Sequence, residues 1–213
     1  MYVLALLCLG SSANAQLSNG SIAPDFTFTD IAGVSHNLYS YLNQGKYVAI
    51  DASATWCQPC WNYHNTKVFD SLYQSFDSPG TQEWKLFFIE VDGNTGMDDL
   101  QGLTSASQGD WLAGTDYTVI NPPGGTELSD FKNGFNIGFY PTFYLICPDK
   151  RVYHLGGSPL KGVWTGTTDS CATTSVGILE AGISVAITPV PANGKVEFAF
   201  SLPVHANIHL AVT

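Results

Sequence analysis

The sequence predicts an α/β fold built on a right-handed parallel crossover, and three stretches carry that prediction. Tyr47 to Ala52 and Leu86 to Asp92 are near-continuous apolar runs of strand length, as expected for strands covered on both faces. Between them, Trp61, Val68, Leu72 and Phe76 recur at helical spacing, in a span with no glycine from Cys57 to about Phe76. Strand, helix, strand at this spacing implies a crossover that sets Cys57-Gln58-Pro59-Cys60 at the carboxyl end of the first strand.

Two cysteines at a strand-to-helix turn are placed for thiol chemistry. A helix beginning near Cys57 would turn unpaired N–H groups and the positive end of its dipole toward that sulfur, favouring thiolate over thiol. Cys57 is therefore the predicted nucleophile. Cys60, one turn further in, is placed to attack a mixed disulfide at Cys57 and release the substrate. Pro59 falls in the first turn, where a missing N–H costs little, and Trp56 flanks the turn.

Other chemistries fit less well. A zinc site would need two ligands beyond the pair; the nearest candidate is His64, which reads as an exposed helix histidine, and no second Cys-x-x-Cys follows. Covalent haem attachment wants His directly after the second cysteine, where this chain has Trp61. Asp92 to Leu103 only superficially resembles a calcium loop, with its glycine misplaced. No metal and no cofactor is expected.

With 213 residues the chain can bury a full core and add a small appendage. Its net charge of −10 argues against a nucleic-acid partner. Val3 to Leu9 is a short apolar run followed by the small-x-small pattern Ala13-Asn14-Ala15, so residues 1–15 read as a signal peptide, truncated because no basic residues precede the run. No later segment approaches the ~20 apolar residues of a spanning helix. An exported, monomeric product without a membrane span is expected. It would retain Cys57, Cys60, Cys147 and Cys171, and pairing the first two and the last two is one of three connectivities; free buried thiols at 147 and 171 are the competing reading.

In chain order, Ala23 to Asp30 alternates ahead of Ala32-Gly33 and predicts a hairpin; Leu38 to Leu42 fits one helical turn. Asp51 is an acid inside the first buried strand. Pro79-Gly80 ends the helical stripe. Residues 93–135, rich in Gly, Asp and Ser, carry a short strand at Tyr117 to Ile120 and a helix near Glu127 to Phe135. Phe143 to Cys147 and Val152 to Leu155 predict strands around Pro148-Asp149-Lys150, and Thr174 to Ala181 a weak last helix. Beyond Gly182, Ser184 to Thr188, Lys195 to Leu202 and Ile208 to Val212 alternate like half-exposed strands of a second, truncated domain.

Residues 23–183 resemble the thioredoxin-like superfamily, specifically its TlpA-like exported thiol-disulfide oxidoreductases. The resemblance rests on Ala-Pro-Asp-Phe at 23–26, Trp-Cys-Gln-Pro-Cys at 56–60 and Tyr-Pro-Thr-Phe at 140–143. It implies a thioredoxin-like domain over 16–183 with a central mixed sheet flanked by helices. It also implies a cis Pro141 beside the redox pair, with Tyr140 offering its backbone to an extended substrate, and a proton-accepting role for Asp51 toward Cys60, against a purely structural one. Trp61 stands where a basic residue is common and makes the surface beside the pair more apolar; Asn65 stands where a kinking proline is common. The segment 93–135 is an insertion that can shape substrate choice. The tail, 184–213, resembles the start of a type IX secretion sorting domain through Pro-Val-Pro-Ala-Asn-Gly-Lys-Val at 189–196, implying export to the periplasm, cell surface or medium.

The expected activity is exchange with protein or peptide thiols and disulfides, served by a redox partner of unknown identity, its direction set by the potential of the pair. A thiol peroxidase, suggested by the Ala-Pro-Asp-Phe start, and a non-catalytic surface binding module on the same scaffold are the alternatives.

Overall fold

In the computed structural model, which describes residues 17–171 and the strands Ser184–Pro189 and Val196–Ser201, the chain opens with a hairpin. Its strands β1 (Thr27–Thr29) and β2 (Ser35–Asn37) pair antiparallel. Asp30 Oδ1 accepts the amides of Ala32 and Val34 at 2.9 and 2.8 Å, and Gly33 supplies the positive φ of 85° that the turn requires. Asn37 then caps α1 (Leu38–Leu42) by accepting the Ser40 amide at 2.9 Å.

A five-stranded mixed sheet follows, in the order β5-β4-β3-β6-β7. Its middle strand β3 (Tyr47–Ser53) runs parallel to β4 (Trp84–Glu90) in a register from Tyr47 opposite Trp84 to Ser53 opposite Glu90. β5 (Thr118–Ile120) extends the parallel side; β6 (Thr142–Ile146) and β7 (Val152–His154) form the antiparallel side. The apolar runs read as doubly covered strands are buried throughout from Val48 to Ser53 and from Leu86 to Glu90, leaving two acids, Asp51 and Glu90, inside the sheet.

The helical stripe is not one helix. It divides into α2 (Gln58–His64) and α3 (Val68–Phe76), with Lys67 in the left-handed region at φ 56°. The cause is side-chain competition for the backbone: Asn65 Nδ2 donates to the Trp61 carbonyl at 2.9 Å and Thr66 Oγ1 to the Tyr63 carbonyl at 2.6 Å. The break costs the core little, because Leu72 is still fully buried and Phe76 stacks on Trp84 at 4.9 Å.

Two further helices lie in the insertion, α4 (Met97–Leu100) and α5 (Thr126–Gly134). The last among the described residues, α6 (Lys161–Thr167), has two glycines and two threonines, and its sequence carries no helical signal. Tertiary contacts hold it: Trp164 is fully buried against Phe69 and Phe143, and Lys161 Nζ reaches the Ser71 and Ser75 hydroxyls of α3 at 3.0 and 2.7 Å. A disulfide joins Cys147, just past β6, to Cys171, with Cα atoms 5.4 Å apart, so these cysteines are not free thiols.

The chain divides after Cys171 into two compact units. In the second, β8 (Ser184–Pro189) and β9 (Val196–Ser201) pair antiparallel from Ser184 opposite Ser201 to Pro189 opposite Val196. The expected signal segment, the helix at Thr174 to Ala181 and the strand at Ile208 to Val212 lie outside the described residues.

Candidate active site

β3 ends at Ser53, four residues before Cys57, and α2 begins at Gln58. Cys57 is the N-cap residue of α2, with extended φ and ψ of −79° and 111°, and its Sγ accepts the Cys60 amide at 3.2 Å. A capping position normally filled by Ser or Asp is thus filled by sulfur. Pro59 sits in the first helical turn, giving up an N–H that would have had no intrahelical partner. Cys57 and Cys60 are joined as a disulfide with Cα atoms 5.2 Å apart. Cys57 keeps 5% of its surface exposed and Cys60 none, so an incoming sulfur can reach only the first of them.

Aromatic side chains frame the exposed side. Trp56, 45% exposed, meets the Tyr140 ring edge-on at 6.1 Å and donates its Nε1–H to Asp92 Oδ2 at 2.9 Å. The Asn94 amide, followed by the Trp56 indole, holds the Asp92 carboxyl below its usual range. The Tyr140–Pro141 peptide is cis. Because Thr142 pairs with Ala52, continuing the register brings Pro141 opposite Ser53, at the end of the strand that feeds Cys57. A recess of about 320 Å³ adjoins this rim, lined among others by Asp92, Asn94, Gly124, Leu128 and Lys132.

Asp51 lies beneath α2. It is 2% exposed and accepts the Ser53 hydroxyl, and its charge is felt by Tyr63 on α2 and by Tyr117 just before β5. Burial pushes its carboxyl up to about 7, against the smaller opposing effect of the Ser53 bond.

His64 departs from expectation: it is 5% exposed, not a surface histidine. The insertion covers it. Trp111, itself 2% exposed, lies 5.0 Å from the rings of both Trp61 and His64, and Tyr117 Oη is 3.2 Å from His64 Nδ1. Burial, aided by Lys67, brings the imidazole down to about 4. Trp61 likewise turns into the insertion, where a side chain at Gly109 would collide with its ring. The exposed apolar surface here comes instead from Trp56 and from Phe139, which is 47% exposed.

Residues that sequence reasoning passed over complete the site. Gln108 donates its backbone N–H to the Thr55 carbonyl at 3.0 Å and its side-chain amide to the Trp56 carbonyl at 2.9 Å. Fully buried Glu90 accepts the amides of Thr55 and Asp92 at 2.8 and 2.9 Å. An acid inside an apolar strand, the signal that singled out Asp51, would have found Glu90 as well.

No protein-family model matches the chain. Among solved structures, the thioredoxin domain of a thiol-disulfide oxidoreductase from Bacteroides vulgatus superposes with a TM-score of 0.54 at 19% identity, over 72% of this chain and 97% of that one. A thiol:disulfide interchange protein from Bacteroides sp. gives a TM-score of 0.51 at 18% identity, over 75% and 94%. These likenesses show the thioredoxin-like fold. In sequence, the thiol-disulfide oxidoreductase ResA of Geobacillus kaustophilus is 49% identical over 148 residues, 70% of this chain and 70% of that protein. The fold, the Cys-x-x-Cys disulfide at a helix start and this identity together establish that the chain belongs to the thioredoxin-like thiol-disulfide oxidoreductases.

Proposed function

We propose that this enzyme exchanges disulfides with polypeptides outside the cytoplasm, with Cys57 as attacking sulfur and Cys60 as resolving sulfur. The observation that carries the reading is the asymmetry of the pair: Cys57 Sγ caps the helix and reaches the surface, while Cys60 is sealed. In the reducing direction the Cys57 thiolate attacks a substrate disulfide, forming a mixed disulfide and expelling one substrate thiolate. Cys60 loses its proton and attacks Cys57 Sγ; the second substrate thiol leaves and the Cys57–Cys60 bond forms. Two electrons pass to the substrate, and the oxidising direction is the reverse.

Asp51 is assigned the proton of Cys60, since a carboxyl poised near neutrality beneath α2 can take it up and return it at working pH. The Tyr140–Pro141 segment is assigned the substrate backbone and Trp56 its apolar side chains. Action outside the cytoplasm is supported by the apolar run and small-x-small pattern at residues 3–15, and by the sorting-domain resemblance of the tail.

Insulin reduction with dithiothreitol as donor tests the chemistry. Cys57→Ser should fall to the uncatalysed background and Cys60→Ser should accumulate a mixed disulfide; wild-type rates in Cys57→Ser would reject the assignment. Recovery of the full chain from cells in the cytoplasmic fraction alone would reject the location.

A further inference from the structure

The ladder between β3 and β4 stops where Val91 N–H meets the Ser53 carbonyl. Beyond that point the chain must still deliver Cys57 to the helix end, and the next amides on either side, those of Thr55 and Asp92, have no strand partner. The Glu90 carboxylate spans both: one oxygen takes Thr55 N–H at 2.8 Å, the other Asp92 N–H at 2.9 Å. Asp92 then accepts the Trp56 indole at 2.9 Å. Glu90, Thr55, Trp56 and Asp92 therefore close a ring of hydrogen bonds and one peptide link around the residues that precede Cys57.

We propose that Glu90 is a positioning residue for Cys57: its two-amide bridge holds the Thr55–Trp56 segment so that Cys57 Sγ stays at the amino end of α2. The inference rests on Cys57 being the attacking sulfur. A carboxylate suits the task because it can accept at both oxygens, whereas a glutamine presents one acceptor and one NH₂ that would face a backbone N–H. A buried amide left without its acceptor is costly, so the segment would shift to re-pair it. Gln108 holds the carbonyls of the same two residues, its backbone N–H on Thr55 and its side-chain amide on Trp56, so the segment is tied through Thr55 N–H and both carbonyls. The charged neighbour felt by Glu90 is Asp92, and burial outweighs both amides in bringing its carboxyl up to about 7.

Position and charge act in opposite directions on Cys57. If Glu90 acted only through its negative charge, removing that charge would make the Cys57 thiolate easier to form. If Glu90 positions the sulfur, losing the bridge takes Sγ off the helix end and makes the thiolate harder to form. The test is the pH profile of iodoacetamide alkylation of the reduced protein, with labelled cysteines identified by mass, in wild type, Glu90→Gln and Glu90→Asp. Gln keeps the shape without the second acceptor; Asp keeps the charge but is one methylene too short for both amides. Either folded variant should be alkylated at Cys57 roughly fivefold more slowly at pH 7, the size of a typical helix-end effect, with the profile displaced to higher pH and melting temperature measured alongside. An unchanged or lower Cys57 profile in a folded variant overturns the proposal even if the melting temperature falls. Wild-type label on Cys60 in place of Cys57 would overturn the underlying assignment of the nucleophile instead.

Discussion

At the scale of single residues, two buried titratable groups, Asp51 and His64, make the clearest energetic statement. Folded Asp51 holds its proton up to about pH 7, while unfolded it releases it near 3.8. Between those values the folded state binds the extra proton, so stability falls as pH rises through the window and is lowest above it. Asp51→Asn removes this burial cost: urea unfolding of the oxidised protein should show a gain on the order of 2–4 kcal/mol at pH 8 that shrinks toward pH 5. Insulin reduction by the same variant should slow about tenfold, since the proton acceptor assigned to Cys60 is gone. A variant that gains stability at pH 8 without losing rate would leave Asp51 a burial cost and no proton acceptor. His64 has the opposite sign. Its folded value near 4 lies below its ordinary 6.5, so the neutral ring's contribution is present above 6.5 and lost as pH falls toward 4.

At the scale of elements, the segment 93–135 is best understood as a brace for α2. Trp111 fills the space between Trp61, His64 and Phe88, at ring distances of 5.0, 5.0 and 5.3 Å, and the adjoining Gln108 holds the backbone ahead of Cys57. Trp111→Ala should therefore cost about 3–5 kcal/mol, as large buried aromatics do, measured by chemical denaturation. It should also slow insulin reduction, since the brace and the redox turn share Gln108; a destabilised variant of full rate would separate the two roles. This arrangement marks the boundary of what the sequence could reveal. β3, β4 and the redox turn were legible because apolar runs, helical spacing and Cys-x-x-Cys are local signals. The burial of His64 was not, because its partners Trp111 and Tyr117 lie far along the chain in a stretch with no periodicity. The division of α2 from α3 depended on Asn65 and Thr66 turning their side chains back on the helix, and α6 on a buried Trp164 overriding poor helix formers. Glu90 stood in plain view within a predicted strand, but its purpose emerges only with the two amides it faces.

At the scale of the whole molecule, the described thioredoxin-like unit sets a narrowly exposed redox sulfur, that of Cys57, in a strongly acidic chain. The N-terminal stretch lies along β7, with Gly20 N–H on the Val152 carbonyl and Ala23 N–H on the Lys150 carbonyl, both at 2.8 Å, so that side of the sheet is partly covered. Of the two sulfur-bearing residues of the redox turn only Cys57 keeps any exposed surface, next to Trp56, whose ring meets that of Tyr140. Around that surface the acidic excess persists: Asp92 is held ionised beside Trp56, and Asp98, Asp99 and Asp110 sit on the adjoining insertion. With a net charge of −10, the long-range field favours encounter with basic polypeptides and opposes acidic ones. Two disulfide peptides of equal length, one flanked by lysines and one by glutamates, separate this from contact specificity. The lysine peptide should show the higher kcat/KM at about 20 mM salt, by roughly tenfold, and the gap should close near 0.5 M, where screening acts within a few ångströms. A gap that persists at high salt would mean that direct contacts at the rim make the choice, and a gap of the opposite sign would mean that Lys132, whose ammonium lies 5.5 Å from the Tyr140 ring, outweighs the rest of the molecule at the point of attack.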